Sequence, residues 1–317
     1  MTWRPSASIE TLRARATLLA RARAFFGARS VLEVDTPVLS AHATVDVHID
    51  SLRTGCGRWL QTSPEFPMKR LLAAGSGPIY QFCHVFRAGD LGRHHNPEFL
   101  MLEWYRPGFD HHQLMDEIGQ WLVAVGAPAP QARRLSYREA WLEHGGVDPF
   151  AADDAQLVKA LCSRADPPAG SERFDRDAWL DFGMGLVVGP ALGRQAPCFV
   201  HDFPASQAAL ARVRPGRSRN DPPLAERFEL FWQGLELANG FHELGDAAEQ
   251  QRRFERDRAQ RAAAGREAPP YDANLIRALA AGMPDCAGVA LGVDRLLMRM
   301  LGLPDVAASM AFGWERA

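Results

Sequence analysis

Residues 84–105 read HVFRAGDLGRHHNPEFLMLEWY, two apolar runs separated by a loop of Gly, Asp, Arg, His and an Asn-Pro pair. Runs rich in Val, Phe, Leu, Trp and Tyr and bounded by turn residues read as strands. With only AGDLGRHHNP between them, strands at roughly 79–87 and 98–106 should pair antiparallel. Alternation along FLMLEWYRP puts Leu100, Leu102 and Trp104 on one face and Met101, Glu103 and Tyr105 on the other. The partner strand is apolar on both faces from Ile79 to Phe86, so this part of the sheet is expected to be covered on both sides. A carboxylate and a phenol on a covered face need a cavity or a counter-charge. Arg87 stands where the first apolar run opens into the loop, a permanent cation in want of an anion.

Working outward, Ile9, Leu12, Ala16, Leu19 and Phe26 recur at helical spacing, with Ser8 as N-cap and Gly27 near the stop. VLEVDTPVLS is a β-branched run that Pro37 interrupts, which suits a sheet edge or an interface. Residues 45–62 turn at TGCG and predict a hairpin, and PEFPMKRLLAAG predicts a short helix with Pro64 and Glu65 in its first turn. Residues 127–200, with PAPQ, DPPAG and GPALG, have weak periodicity and read as an insertion or subdomain within one domain over 1–317. ARVRPGRSRNDPP at 211–223 reads as an exposed loop carrying four arginines. From Glu226, ERFELFWQGLELANGFHEL reads as one long strand-like segment; helices follow at 247–264 and 272–282, then PDCAGVALGVDRLLMRMLG as a strand running into a helix. The order predicts an α+β fold, helices against a largely antiparallel sheet.

A chain of 317 residues with 47% hydrophobic residues can bury a sizeable core. The net charge of −2 leaves no overall basic footprint of the kind that phosphate-backbone binding requires. Five cysteines, odd in number and without a C-x-x-C pair, argue against a disulfide framework and a structural zinc, and suit reduced thiols of a cytoplasmic protein. MTWRPSASIETLRARAT has no apolar leader core, and no run approaches a membrane span, so a cytoplasmic location is expected.

Two further segments could carry chemistry. In LELANG, alternation puts Glu236, Ala238 and Gly240 on one face and Leu235 and Leu237 on the other, with Glu229 and Glu243 seven residues to either side. Three carboxylates in one apolar segment call for a metal, an amine or arginines between them. In GVDRLLMRM, Asp294 is a candidate N-cap, and Arg295 in the first helical turn faces the positive end of the helix dipole. An anion reverses that repulsion, so Gly292 and Arg295 outline a phosphate site, with Arg87 as a second clamp. Neither G-x-x-x-x-G-K-[ST] nor a G-x-G-x-x-G after a strand is present. His94 and His95 are adjacent and lack a third ligand at metal spacing, so metal ligation there is not expected; His95 suits stacking beside a base.

FFGARSVLEVDTPVLS, HVFRAGDLGRHHNPEFLMLEWY and GVALGVDRLLM resemble, in order, the three motifs of class II aminoacyl-tRNA synthetases. TSPEFPMKRLL, LELANGFHELGDAAEQQRRF and MPDCAGVALGVDRL narrow the likeness to lysyl-tRNA synthetases, from about residue 8 to the C-terminus. Two departures stand out. The first-motif helix begins by Ser8, so no anticodon-binding domain is expected, and Ala290 stands where the synthetases have glycine. Both features resemble the truncated lysyl-tRNA synthetase-like paralogues that attach (R)-β-lysine to a lysine of translation elongation factor P.

The resemblance implies an ATP-dependent, AMP-forming ligase and a homodimer built on the first motif. It implies that Arg87 and Arg295 hold phosphates, with Ala88, Gly89, His95, Asn96, Phe99, Leu237 and Gly292 around the nucleotide. Glu236, with Glu229, would hold Mg²⁺. Ser63, Pro64, Glu65 and Ala290 would contact the amino acid near its reacting end, and Glu103, Tyr105 and Glu243 its distal ammonium. The second motif reads RAGD, with Gly89 where the family has glutamate. Three other readings stay open: a free-standing enzyme charging tRNA with lysine through the loop at 211–223, an amino-acid amide synthetase, and a regulator without catalysis. No tRNA and no membrane partner is expected.

Overall fold

The computed structural model describes residues 3–127, 131–216, 218 and 221–317. In chain order the elements are α1 (Ile9–Gly27), β1 (Leu32–Glu33), β2 (Leu39–Ser40), β3 (Trp59–Leu60), α2 (Glu65–Ala73), β4 (Ile79–Phe86), β5 (Glu98–Pro107) and α3 (His111–Ala124). There follow β6 (Arg133–Ser136), α4 (Tyr137–Ala140), α5 (Asp154–Cys162), α6 (Arg176–Gly183), β7 (Cys198–Pro204), β8 (Val213–Arg214), β9 (Leu224–Trp232) and β10 (Leu235–His242). The chain closes with α7 (Ala247–Ala263), α8 (Ala273–Gly282), β11 (Cys286–Gly292) and α9 (Val293–Leu301).

Nine strands join in one sheet in the order β1-β4-β5-β11-β10-β9-β7-β6, with β8 on β9. Only the β1–β4 and β6–β7 pairs are parallel, so the expected antiparallel, α+β arrangement stands. The pair read from residues 84–105 lies next to the β1 edge: β4 and β5 run antiparallel, with Gln81 opposite Glu103 and Ile79 opposite Tyr105. Leu100, Leu102 and Trp104 enter the main core together with residues of α1, α3 and α9. Tyr105, from the opposite face, packs with Met68 and Leu72 of α2, so the sheet is covered on both sides. Trp104 is fully buried against Phe26 and Trp121, and its indole N–H donates to Glu117 at 3.2 Å. Truncating it to alanine should cost about 3–5 kcal/mol. A second core gathers Tyr137, Trp141, Leu157, Leu161, Trp179 and Phe231 beside the β6–β7 end of the sheet.

The sequence reading needs correction at four places. In α1 the N-cap is Ser8, as expected, but the buried stripe is Thr11, Leu18, Ala22, Phe25 and Phe26, and Ile9 is exposed. The turn at 54–57 forms, yet it closes only a bridge between Arg53 and Trp59; β3 pairs instead with β2. The long strand-like segment is two strands, β9 and β10, joined by Gln233 and Gly234 at φ 51° and 73°. Positive φ at both turn residues is the tight hairpin turn that suits strand twist. Lastly, Asp294 does not cap α9. The N-cap is Gly292, and Asp294 lies buried inside the first turn, accepting from the Leu100 N–H at 2.7 Å and pairing with Arg15. An aspartate that looked like a local cap therefore ties α9 to β5 and α1.

In the loop at 211–223, Arg217, Arg219 and Asn220 lie outside the described residues, as does 128–130 at the start of the expected insertion. Arg212 pairs with Asp285 and Arg214 with Asp202, so these two arginines are already occupied.

Candidate functional site

A cavity of about 560 Å³ opens on the α2 side of the sheet. Its wall runs from Ser63 and Glu65, past Met101 and Ala290, to Arg87, Glu236 and Arg295. The loop at 37–46 and the helices α7 and α8 close it from outside through His42, Asp46, Phe254, Asp257, Asp272 and Asn274.

One end is cationic. Arg87 follows β4, where its guanidinium lies 5.2 Å from the Phe99 ring centre and its Nε has no hydrogen-bond partner among the described residues. Burial pushes its pKa down, an effect that Glu236 opposes. A desolvated cation with an orphaned donor is a strong anion receptor. Arg295, at the start of α9, donates to the carbonyls of His94 at 3.1 Å and Glu236 at 3.0 Å, which aims its planar fork along the cavity. Burial first, then Arg295, lowers the His95 pKa, so its ring is neutral near pH 7 and suited to stacking.

Around these cations the expected residues divide. His95, Asn96, Phe99, Leu237 and Gly292 border the cavity; Ala88 and Gly89 do not, because Gly89 turns the chain at φ 81° and brings Asp90 to the wall instead. The Asn96 side chain donates to the Glu98 carbonyl at 2.6 Å and accepts from the Trp314 N–H at 3.0 Å, so it also fastens the C-terminal segment.

The LELANG face differs from simple alternation. A bulge between Glu236 and Ala238 shifts the register, so Asn239 and Phe241 join Glu236 along the cavity, while Ala238, which also borders it, packs into the core and Gly240 abuts the Phe228 ring. The Glu236 carboxylate is half-buried and unpaired among the described residues, a donor that would suit a divalent cation. Glu229 stands close enough for the Glu236 charge to act on it. It is buried off the cavity wall, bound by Arg227, and burial raises its pKa to about 7.

At the other end, beneath Ser63 and Glu65, lies a buried polar cluster. The Tyr105 hydroxyl donates to Glu103 at 2.6 Å and the Ser63 hydroxyl to its other oxygen at 2.7 Å. Glu243 and Glu65 each stand 2.5 Å from Nζ of Lys69. Burial, then Glu65, pushes Glu103 up to about 8, and burial outweighs Lys69 to push Glu243 up to about 7. Burial works against the Lys69 charge, but Glu243 and then Glu65 outweigh it and keep the ammonium protonated. Three carboxylates against one ammonium leave a site that a second cation would complete. Pro64 only begins α2, and neither Glu103, Tyr105 nor Glu243 borders the open cavity; their outlet is through Ser63 and Glu65.

The sequence reading missed Lys69, although Glu65 and Lys69 sit at the i,i+4 spacing that pairs charges on a helix. It also missed His42, Asp46, Asp257 and Asp272, which no local pattern marks.

A search of protein families matches residues 1–316 to the family described as tRNA synthetases class II (D, K and N). Among curated proteins, the chain is 48% identical to the elongation factor P–(R)-β-lysine ligase of Salmonella typhi, over 100% of this chain and 98% of that protein. Proteins of the same name from Salmonella gallinarum and Salmonella paratyphi B match at the same identity and coverage.

Proposed function

This chain belongs to the class II tRNA synthetase family of the D, K and N type, and we propose that it activates (R)-β-lysine with ATP and passes it to a lysine ε-amine of elongation factor P. The observation that carries the proposal is one cavity with two arginines at one end, Arg87 with an orphaned donor, and a carboxylate-rich cluster beneath the other. A diamino acid spans such a site, its carboxylate toward Arg87 and its distal ammonium toward Glu65, Glu103 and Glu243. Near-full-length identity to three ligases of that name supports the choice of substrates.

In the first step the substrate carboxylate attacks the α-phosphorus of ATP and pyrophosphate leaves. The carboxylate is already ionised, so this step rests on positioning and charge stabilisation. Arg87 bridges carboxylate and α-phosphate, Arg295 meets the departing phosphates, and His95 and Phe99 flank the base. Glu236 would hold Mg²⁺, which neutralises phosphate charge when bound. In the second step the acceptor amine attacks the adenylate carbonyl and AMP leaves. A free lysine amine has a pKa near 10.4, so desolvation on docking must supply the neutral form.

Ala290 lies on the wall between the two ends, opposite Glu103 and Asn239 in neighbouring strands. That position supports a role for its methyl group in discriminating between isomers whose amino group sits on the α- or the β-carbon. Two strands of the first motif expose Leu32 and Leu39, at 55% and 47%, which supports a homodimer through that region. No helix among the described residues is long and apolar enough to cross a membrane.

The test is pyrophosphate exchange with α-lysine and (R)-β-lysine side by side, followed by mass measurement of elongation factor P. A gain of one lysyl residue on the factor, with preference for the β-isomer, is expected. Charging of tRNA with no modification of the factor would overturn the reading.

A further inference from the structure

On the face of the sheet away from the cavity, residues distant in the chain converge. His111 opens α3, Glu226 lies on β9 and His242 ends β10. One ligand-type atom from each lies within 4.8 Å of the other two. His242 Nδ1 is 2.6 Å from Glu226 Oε2, while its Nε2 is 3.0 Å from the Asp285 carboxylate. The carboxylates explain the placement of His242, but nothing comparable holds His111. That residue is 3% exposed, and neither of its ring nitrogens has a hydrogen-bond partner among the described residues. Burying an unsatisfied imidazole is unfavourable, and such orphans mark a missing ligand.

The geometry points to a divalent transition-metal site, suited to zinc, formed by His242 Nδ1, one ring nitrogen of His111 and a carboxylate oxygen of Glu226. Two imidazoles and one carboxylate are a common zinc set that leaves a fourth position for water. Metal-bound imidazoles usually have a carboxylate on the other ring nitrogen. Asp285 holds that place for His242, and the Asp202 carboxylate stands 3.6 Å from His111 Nε2. Asp202 is itself fixed at φ 63° at the bulge in β7, with Arg214 2.6 Å from its other oxygen. The Asp285 side chain is 60% exposed and gives an ion a route from solvent. A metal here fastens α3 to β9 and β10. Because His242 directly precedes Glu243 in the chain, it also steadies that carboxylate in its cluster with Lys69. The site does not depend on the ligase reading.

The experiment strips the full-length protein with a chelator and returns zinc in the presence of excess magnesium. One zinc per chain and a higher melting temperature are expected. X-ray absorption of the zinc-loaded wild type should show nitrogen and oxygen ligands at about 2.0–2.1 Å, outer-shell scattering from two imidazoles, and no sulfur. His111→Gln and Glu226→Gln should abolish the stoichiometric site, and Asp285→Asn should weaken zinc affinity about 10- to 100-fold. Failure of the wild type to hold zinc, a sulfur-containing shell, or equal zinc retention by wild type and variants would overturn the proposal. The absorption measurement decides the matter on the wild type alone if the variants do not fold.

Discussion

Two single side chains carry most of the proposed chemistry. Arg87 is desolvated, with an orphaned Nε, and its proposed role is electrostatic. Replacing it with alanine should lower pyrophosphate exchange by about 100- to 1,000-fold or more, the scale of losing a preorganised charge donor. The circular dichroism spectrum should stay unchanged, because an unpaired cation contributes little to the fold; normal exchange would sink the assignment. Ala290→Gly removes one methyl from the cavity wall, worth about 1–3 kcal/mol in a tight pocket. The rate with α-lysine relative to (R)-β-lysine should rise about tenfold, measured by exchange with both isomers. Arg87 was legible because an arginine ending an apolar strand has no other good explanation. Lys69 was not, because its partner Glu243 lies far away in the chain, just past β10, and only the fold brings the two to 2.5 Å.

Elements were legible where pattern and boundary agreed, as in β4, β5 and α7. They failed where backbone irregularity decided the outcome. Trp-Gln-Gly-Leu reads as continued strand, but Gln233 takes a left-handed conformation that side chains other than Gly, Asn and Asp rarely adopt. One bulged residue at Leu237 then exchanged the faces of everything beyond it, a consequence of the two-residue period. The proposed metal-binding trio was illegible for a related reason: Glu226 and His242 lie at the far ends of the β9–β10 hairpin, and His111, more than a hundred residues earlier, meets them only through the fold. Strand β11 offers a test of how tightly the ammonium cluster is built. A Cβ on Gly288 would fall 2.3 Å from the Tyr105 ring and 2.5 Å from the Glu243 carboxylate, and Tyr105 is fully buried. Gly288→Ala should therefore destabilise the fold by about 1–3 kcal/mol, as overpacking does, and should raise KM for (R)-β-lysine more than KM for ATP. Thermal melts and separate titrations of the two substrates check this, and equal changes in both KM values would place the strain elsewhere.

At the scale of the whole molecule, buried charge and exposed apolar surface make opposite demands. Glu103 and Glu243 are pushed up to about 8 and 7, above their ordinary value of 4.5. Between pH 4.5 and 8 the unfolded chain releases these protons before the folded chain does, so the native state binds more and stability falls as pH rises. An ammonium docked in the cluster favours the ionised carboxylates. Binding of (R)-β-lysine near pH 7 should thus release protons, seen by calorimetry in buffers of different ionisation enthalpy; proton uptake would contradict the placement. The exposed surface bears on assembly. Leu32 lies on a two-residue edge strand and Leu39 on β2, and apolar residues exposed at a sheet edge invite pairing. Leu39 and Ser40 also border the cavity, so a partner covering them would brace the wall that closes over the substrate. Sedimentation should give twice the 35.0 kDa chain mass for the wild type. The double variant Leu32→Glu with Leu39→Glu should shift toward monomer, and its kcat/KM should fall with the dimer fraction because the 37–46 loop loses its support. A wild type that sediments as a monomer while fully active would show that the cavity needs no second chain.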